Sequence, residues 1–200
     1  MNTRPKLLIV SPTPTHPTTA GNRARILSMV EALAGLGVEV HFMHLARDPA
    51  DDDAMRAYWG DRYTKVKYQW PPQTADATWG RWGRITRRLR AWLTGDTYSA
   101  YNWDLDAWYN DRLDEAVRAL HAREHFDAVL AEYVFLSRAL CNFNGVLKLI
   151  DTHDVFADRF QQFLANNEKP VFFSTSPKQE GRGLDRADVR AHVGGAQLCP

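Results

Sequence analysis

The strongest constraint on this chain is a set of short apolar runs separated by segments of helical period. Lys6 to Val10 is the first. An uninterrupted apolar run too short for a helix is what a strand buried on both faces of a parallel sheet looks like. A Pro- and Thr-rich loop follows, Ser11 to Asn22. From about Arg23, Ile26, Met29, Val30 and Leu33 form one apolar stripe of an amphipathic helix. Asn22 is read as its N-cap and Gly37 as the glycine just past its end. Val38 to Leu45 reads as the next strand. Strand, helix and strand at this spacing make a βαβ unit with a right-handed crossover.

The alternation loosens and then returns. The acidic run Asp51 to Asp53 is expected to open a helix, and Thr64 to Tyr68 to form a third strand. From about Leu105 a longer helix is expected to run toward His121, with Tyr109, Leu113, Ala116, Val117 and Leu120 on one side. Asp127 to Glu132 and Val146 to Ile150 are further buried strands, with a short helix from Phe135 to Phe143 between them. Phe156, Phe160, Phe163 and Leu164 suggest a helical stripe, and Pro177 to Asp185 another short helix. The fold class expected is α/β: Rossmann-like, a mostly parallel sheet with helices on both faces.

Two hundred residues suffice for one core of this kind. The formal net charge is +1, which gives no global footprint for nucleic acid. Cys141 and Cys199 lie far apart and form no disulfide framework, which fits a reducing, cytoplasmic compartment. No apolar run reaches the length of a membrane span.

In an open α/β sheet, ligands bind at the carboxyl ends of the strands. Three segments of this chain fall there. Gly21 and Asn22 end the first loop directly before a helix, where free N–H groups favour an anion such as a phosphate. A glycine needed only for the turn is the plainer reading. Glu132 ends a strand and could accept hydrogen bonds from sugar hydroxyls, cap the next helix, or face water. Asp151-Thr152-His153-Asp154 follows the next strand. His153 there could bind a polar substrate, with a nearby carboxylate setting its tautomer. Alternatively Asp154 caps the following helix and His153 is merely exposed.

Two other motifs carry chemistry. His121-Ala122-Arg123-Glu124-His125 matches an inverted zinc-protease pattern, but it abuts a strand and has no third ligand helix, so no metal is expected. Trp79 to Leu93 is basic and amphipathic. Trp82, Ile85, Leu89, Trp92 and Leu93 share one face, and Arg81, Arg84, Arg87, Arg88 and Arg90 populate the rest. Trp82 and Trp92 with Arg84, Arg87 and Arg88 suit an anionic membrane surface, peripheral to its inner face. An ordinary domain helix with solvated arginines is the other reading.

The run Lys6-Leu7-Leu8-Ile9-Val10, the loop ending at Gly21, the Arg23 helix and Gly37-Val38-Glu39-Val40 resemble the opening of GT-B glycosyltransferases, specifically the glycosyltransferase family 4-like N-terminal domain. Phe126 to Asp154 resembles the later strands of that domain. The likeness spans roughly Lys6 to Val189, with little contribution from Pro49 to Asn102. It implies retaining transfer of a sugar from a nucleotide-sugar donor, which is a substrate rather than a cofactor, usually without a metal. It implies that this domain chiefly recognises a carbohydrate or lipid-linked acceptor. It places Gly21 near the donor phosphates and His153 against the transferred sugar. Glu132, Asp151 and Asp154 are then possible acceptor or sugar contacts. Asn22 stands where family members often carry a second glycine.

The domain is expected to occupy residues 1–189, with 190–200 an irregular tail. Regular patterning stops at Val189, and Arg190 to Gly195 is charged and glycine-paired. A frameshift or truncation near Arg190 and a frayed tail are both open. The resemblance implies a C-terminal donor-binding domain that these residues do not supply, hence a fragment inactive by itself. The alternative is a non-catalytic α/β module that binds a membrane or partner through residues 79–93.

Overall fold

The computed structural model describes residues 4–46, 52–68, 86, 89, 93, 102, 104–168 and 174–191. Six parallel strands form one sheet: β1 (Lys6–Ser11), β2 (Glu39–Ala46), β3 (Tyr63–Lys67), β4 (Ala128–Glu132), β5 (Leu147–Asp151) and β6 (Val189–Ala191). Their order is β3-β2-β1-β4-β5-β6. This is the doubly wound Rossmann-like arrangement, and its strand order reverses between β1 and β4. The helices are α1 (Gly21–Gly35), α2 (Asp52–Trp59), α3 (Asp111–Glu124), α4 (Phe160–Ala165) and α5 (Pro177–Leu184).

The apolar runs are explained by burial on both faces. Leu8 and Val10 of β1 join a cluster with Leu113, Val117 and Leu120 of α3. Leu7 and Ile9 point the other way, into a cluster with Ile26 and Val30 of α1 and Met55 and Trp59 of α2. Each fully buried aliphatic side chain is worth about 1.5–3 kcal/mol, so a polar residue at any of Leu7, Leu8, Ile9 or Val10 would cost one layer or the other.

Helix ends follow local chemistry, with some departures from expectation. Gly37 takes φ +86, its N–H donates to the Ala34 carbonyl at 3.0 Å, and the Val38 N–H donates to Leu33 at 3.1 Å. That paired closure needs a left-handed residue, which glycine supplies without strain. Asn22 is not the N-cap of α1. Ala20 holds that position with extended backbone and no side-chain cap, and Asn22 is already inside the first turn.

The helix expected from Leu105 is two elements. Asp104 accepts from the Asp106 N–H and opens a 3-10 turn, Leu105–Trp108. Asn110 then accepts from the Arg112 N–H and starts α3. Two residues able to accept from the backbone near their own position give the chain two starts where the apolar period suggested one. Val134–Asn142 winds as a 3-10 helix rather than an α-helix. Val134, Phe135, Leu136, Ala139 and Leu140 are all buried, so packing overrides local preference. The Phe156 stripe begins its helix only at Phe160. Past Asp188, β6 forms against β5, pairing Leu149 with Val189 and Asp151 with Ala191.

Candidate functional site

The carboxyl ends of β4 and β5 carry a buried polar cluster. Glu132 and Asp151 are register partners across the two strands. Both point into a region where polar atoms must find partners or lose solvation without compensation. Glu132 is fully buried. Its Oε2 meets the Nε2 of His153 in a short contact, and its Oε1 has no hydrogen-bond partner among the described residues. Burial pushes the Glu132 carboxyl above its ordinary range, and the bond to His153 opposes that shift. Asp151 binds the Arg25 guanidinium, whose Nη2 donates to Oδ1 at 2.9 Å and to Oδ2 at 2.7 Å.

His153 sits at φ +57 and is 7% exposed. Its N–H donates to Asp151 Oδ1 at 3.2 Å, which ties the turn to the strand it follows. Its Nδ1 lies 3.5 Å from Arg25 Nη1. Its ring stacks on Tyr133, with centroids 4.4 Å apart and planes at 19°. Tyr133 in turn stacks on Phe135 at 5.2 Å and 14°. Tyr133 takes φ +72, and its N–H donates to the Asp151 carbonyl at 2.7 Å. Two adjacent strand ends therefore each continue into an aromatic residue in left-handed backbone, ring against ring. Such conformations cost of order 1–3 kcal/mol each and cluster at functional sites.

The first strand's loop closes on the same place. Asn22 Nδ2 donates to the Tyr133 hydroxyl at 3.2 Å. That bond crosses the gap between β1 and β4, where the strand order reverses and where open α/β sheets bind ligands. Gly21 opens α1, and a Cβ added there would meet nothing within 4 Å. Its φ is not among the positive ones, so the turn does not demand a glycine. The first turn of α1 holds no acid and carries Arg23, with Arg25 directly after it. Acids are the usual complement to that end of the helix dipole.

The sequence candidates thus separate. Asn22, Glu132, Asp151 and His153 join one polar cluster through Tyr133 and Arg25, and Gly21 directly precedes Asn22 at the start of α1. His153 is not merely exposed. Glu132 neither caps a helix nor faces water. Asp154 stands apart: it is exposed and pairs with Arg159 at 3.2 Å, and it caps no helix at Phe156. Trp82, Arg84, Arg87, Arg88 and Trp92 lie outside the described residues. Leu89 and Leu93 of that segment are 52% and 69% exposed. No helix among the described residues is long and apolar enough to cross a membrane.

Arg25 and Tyr133 complete the cluster; Arg25 was not a candidate from sequence, and Tyr133 stood beside Glu132 at the strand end with no role assigned. Arg25 stands three residues after Asn22, on the same helix face, which is the signal that could have found it.

Among the described residues, Glu132, Asp151 and His153 form the one grouping with metal-ligand spacing, their ligand atoms within 4.8 Å of one another. A guanidinium already neutralises Asp151 there, which opposes a second cation. His121 and His125 form no such group. His121 Nδ1 accepts from the Phe126 N–H at 3.2 Å, and His125 lies beyond the helix end at φ +57.

No family model matches the chain, and no curated protein matches it. Among solved structures it is similar to a sucrose-phosphate synthase from Thermosynechococcus elongatus, at 16% identity and a TM-score of 0.46. The match covers 79% of this chain and 35% of that one, so the chain spans little more than a third of that neighbour. Its own topology and strand-end polar cluster define the class: a Rossmann-like α/β domain with buried polar residues beside the strand-order reversal.

Proposed function

We propose that this chain is the N-terminal, acceptor-side domain of a GT-B glycosyltransferase that uses a nucleotide-sugar donor and retains the configuration of the transferred sugar. The observation that carries the reading is the bond from Asn22 to Tyr133 across the gap between β1 and β4, with His153 stacked behind it. Sugar sites need neutral donors and acceptors fixed in place beside an aromatic face. Asn22, Tyr133 and His153 offer that set at the position where the fold binds ligands. The open space at Gly21 and the arginine-bearing first turn of α1 suit an oxygen-rich, partly anionic group approaching the backbone. Carbohydrate or a lipid-linked sugar is the acceptor class. The cluster takes no metal, because Arg25 supplies the positive charge beside Asp151.

Saturation-transfer NMR on the full chain with a panel of nucleotide-sugars and acceptor oligosaccharides tests this. Transfer to sugar-ring protons is expected with wild type and is expected to fall at least tenfold in His153→Ala. Equal transfer in both proteins, or none to any sugar, would overturn the assignment.

A further inference from the structure

His153 has two ring nitrogens in different company. Nε2 faces a fully buried carboxylate of Glu132, and Nδ1 faces Arg25. A guanidinium only donates, so Nδ1 must be the acceptor in that contact. A proton on Nδ1 would set donor against donor, and with Nε2 also protonated it would put an imidazolium beside the guanidinium. A carboxylate at Nε2 accepts, so the proton belongs there. Both neighbours specify the same tautomer, and they act from different elements, β4 and α1.

We infer that Glu132 is a positioning residue that holds His153 as the neutral Nε2–H tautomer, so that Nδ1 faces the crevice as a hydrogen-bond acceptor for a ligand hydroxyl. The inference deepens the sugar-site reading and rests on it for the identity of the ligand, not for the tautomer. It has a consequence for substrate class. An acceptor nitrogen rewards an O–H donor and repels a carboxylate or phosphate oxygen at that point.

Several features support a ligand-facing role. The Arg25 contact is long, at 3.5 Å, and the Arg25 side chain is 41% exposed. It can therefore yield to a hydroxyl while its Nη2 stays on Asp151. The Tyr133 stack fixes the ring plane. The left-handed backbone at His153 holds the imidazole back over β4. Glu132 touches no ligand in this arrangement. It acts on the ring from behind, as the carboxylate partners of functional histidines do.

The test is nitrogen-15 NMR of the histidine rings in the full-length chain at neutral pH, with His153→Asn identifying the His153 signals. The expected wild-type result is a protonated, pyrrole-type Nε2 and an unprotonated, pyridine-type Nδ1. In Glu132→Gln the neutral amide can donate to Nε2 as well as accept from it, so the Nε2–H population is expected to fall below the wild-type value. Arg25→Ala, which keeps the carboxylate, is expected to retain the wild-type tautomer. A proton on Nδ1 in wild type, alone or with Nε2 also protonated, would overturn the inference even if Glu132→Gln does not fold. So would a Glu132→Gln spectrum identical to wild type. The expected tautomer without any sugar binding would count against the proposed function alone.

Discussion

His44 shows how one buried residue ties the fold to pH. It lies within the long buried run of β2, opposite Ser11 of β1, with its Nδ1 3.0 Å from the Tyr63 hydroxyl. Burial pulls its pKa from 6.5 down to about 4, and the positive charge of Lys65 adds to that. The unfolded chain takes up this proton first. Stability is therefore full above pH 6.5 and is lost as the pH falls toward about 4. The loss is at most about 3 kcal/mol, from the size of the shift. Thermal unfolding followed across that window should show a falling Tm in wild type and a shallower fall in His44→Gln, which cannot take the proton. Parallel slopes for the two proteins would remove His44 from the explanation. At the same scale, Arg25 was hidden in the sequence, and Tyr133 was visible only as the neighbour of Glu132. Each is ordinary in type, and only the fold brings them onto Glu132, Asp151 and His153.

At the scale of elements, α5 is held by contact rather than propensity. Gly183 faces the 3-10 turns, and a Cβ there would sit 2.6 Å from Leu105 Cδ2 and 2.7 Å from Val134 Cγ2. Gly181 of the same helix would meet nothing within 4 Å. An alanine at an open helical glycine gains about 1 kcal/mol, whereas forced overpacking costs about 1–3 kcal/mol. Urea unfolding should therefore give opposite signs, Gly181→Ala more stable and Gly183→Ala less. A stabilised Gly183→Ala would mean that α5 does not pack as described. The sequence was most readable where one physical cause acted alone. The strands β1, β2, β4 and β5 were legible because each is a short, mostly apolar run, too short for a helix. Gly37 was legible because a left-handed closure favours glycine. The start of α1, the break before α3 and the 3-10 path after Tyr133 were not. There, side-chain caps and tertiary packing compete with the apolar period, and single-sequence patterning does not weigh them.

At the scale of the whole molecule, the Rossmann-like order sets where function can lie. The order reverses between β1 and β4, where open α/β sheets bind ligands, and the loop after β1 meets the turn after β4 there through the Asn22 bond to Tyr133. His153 comes from one strand further along, and its turn leans back over β4 through the Glu132 contact and the Tyr133 stack. Sequence reading placed Gly21, Glu132 and His153 at strand ends. It could not place them together, because the order of strands in a sheet is not written in their order along the chain. The convergence of the three ends is what turns separate weak motifs into one site. Chemical-shift mapping of the labelled chain during titration with the sugar ligands is the most direct check of that convergence. Shifts are expected to concentrate at Ser11 to Asn22, Tyr133 and Thr152 to Asp154. Perturbation centred on the amino ends of the strands, around Lys6, Glu39 and Leu147, would contradict it.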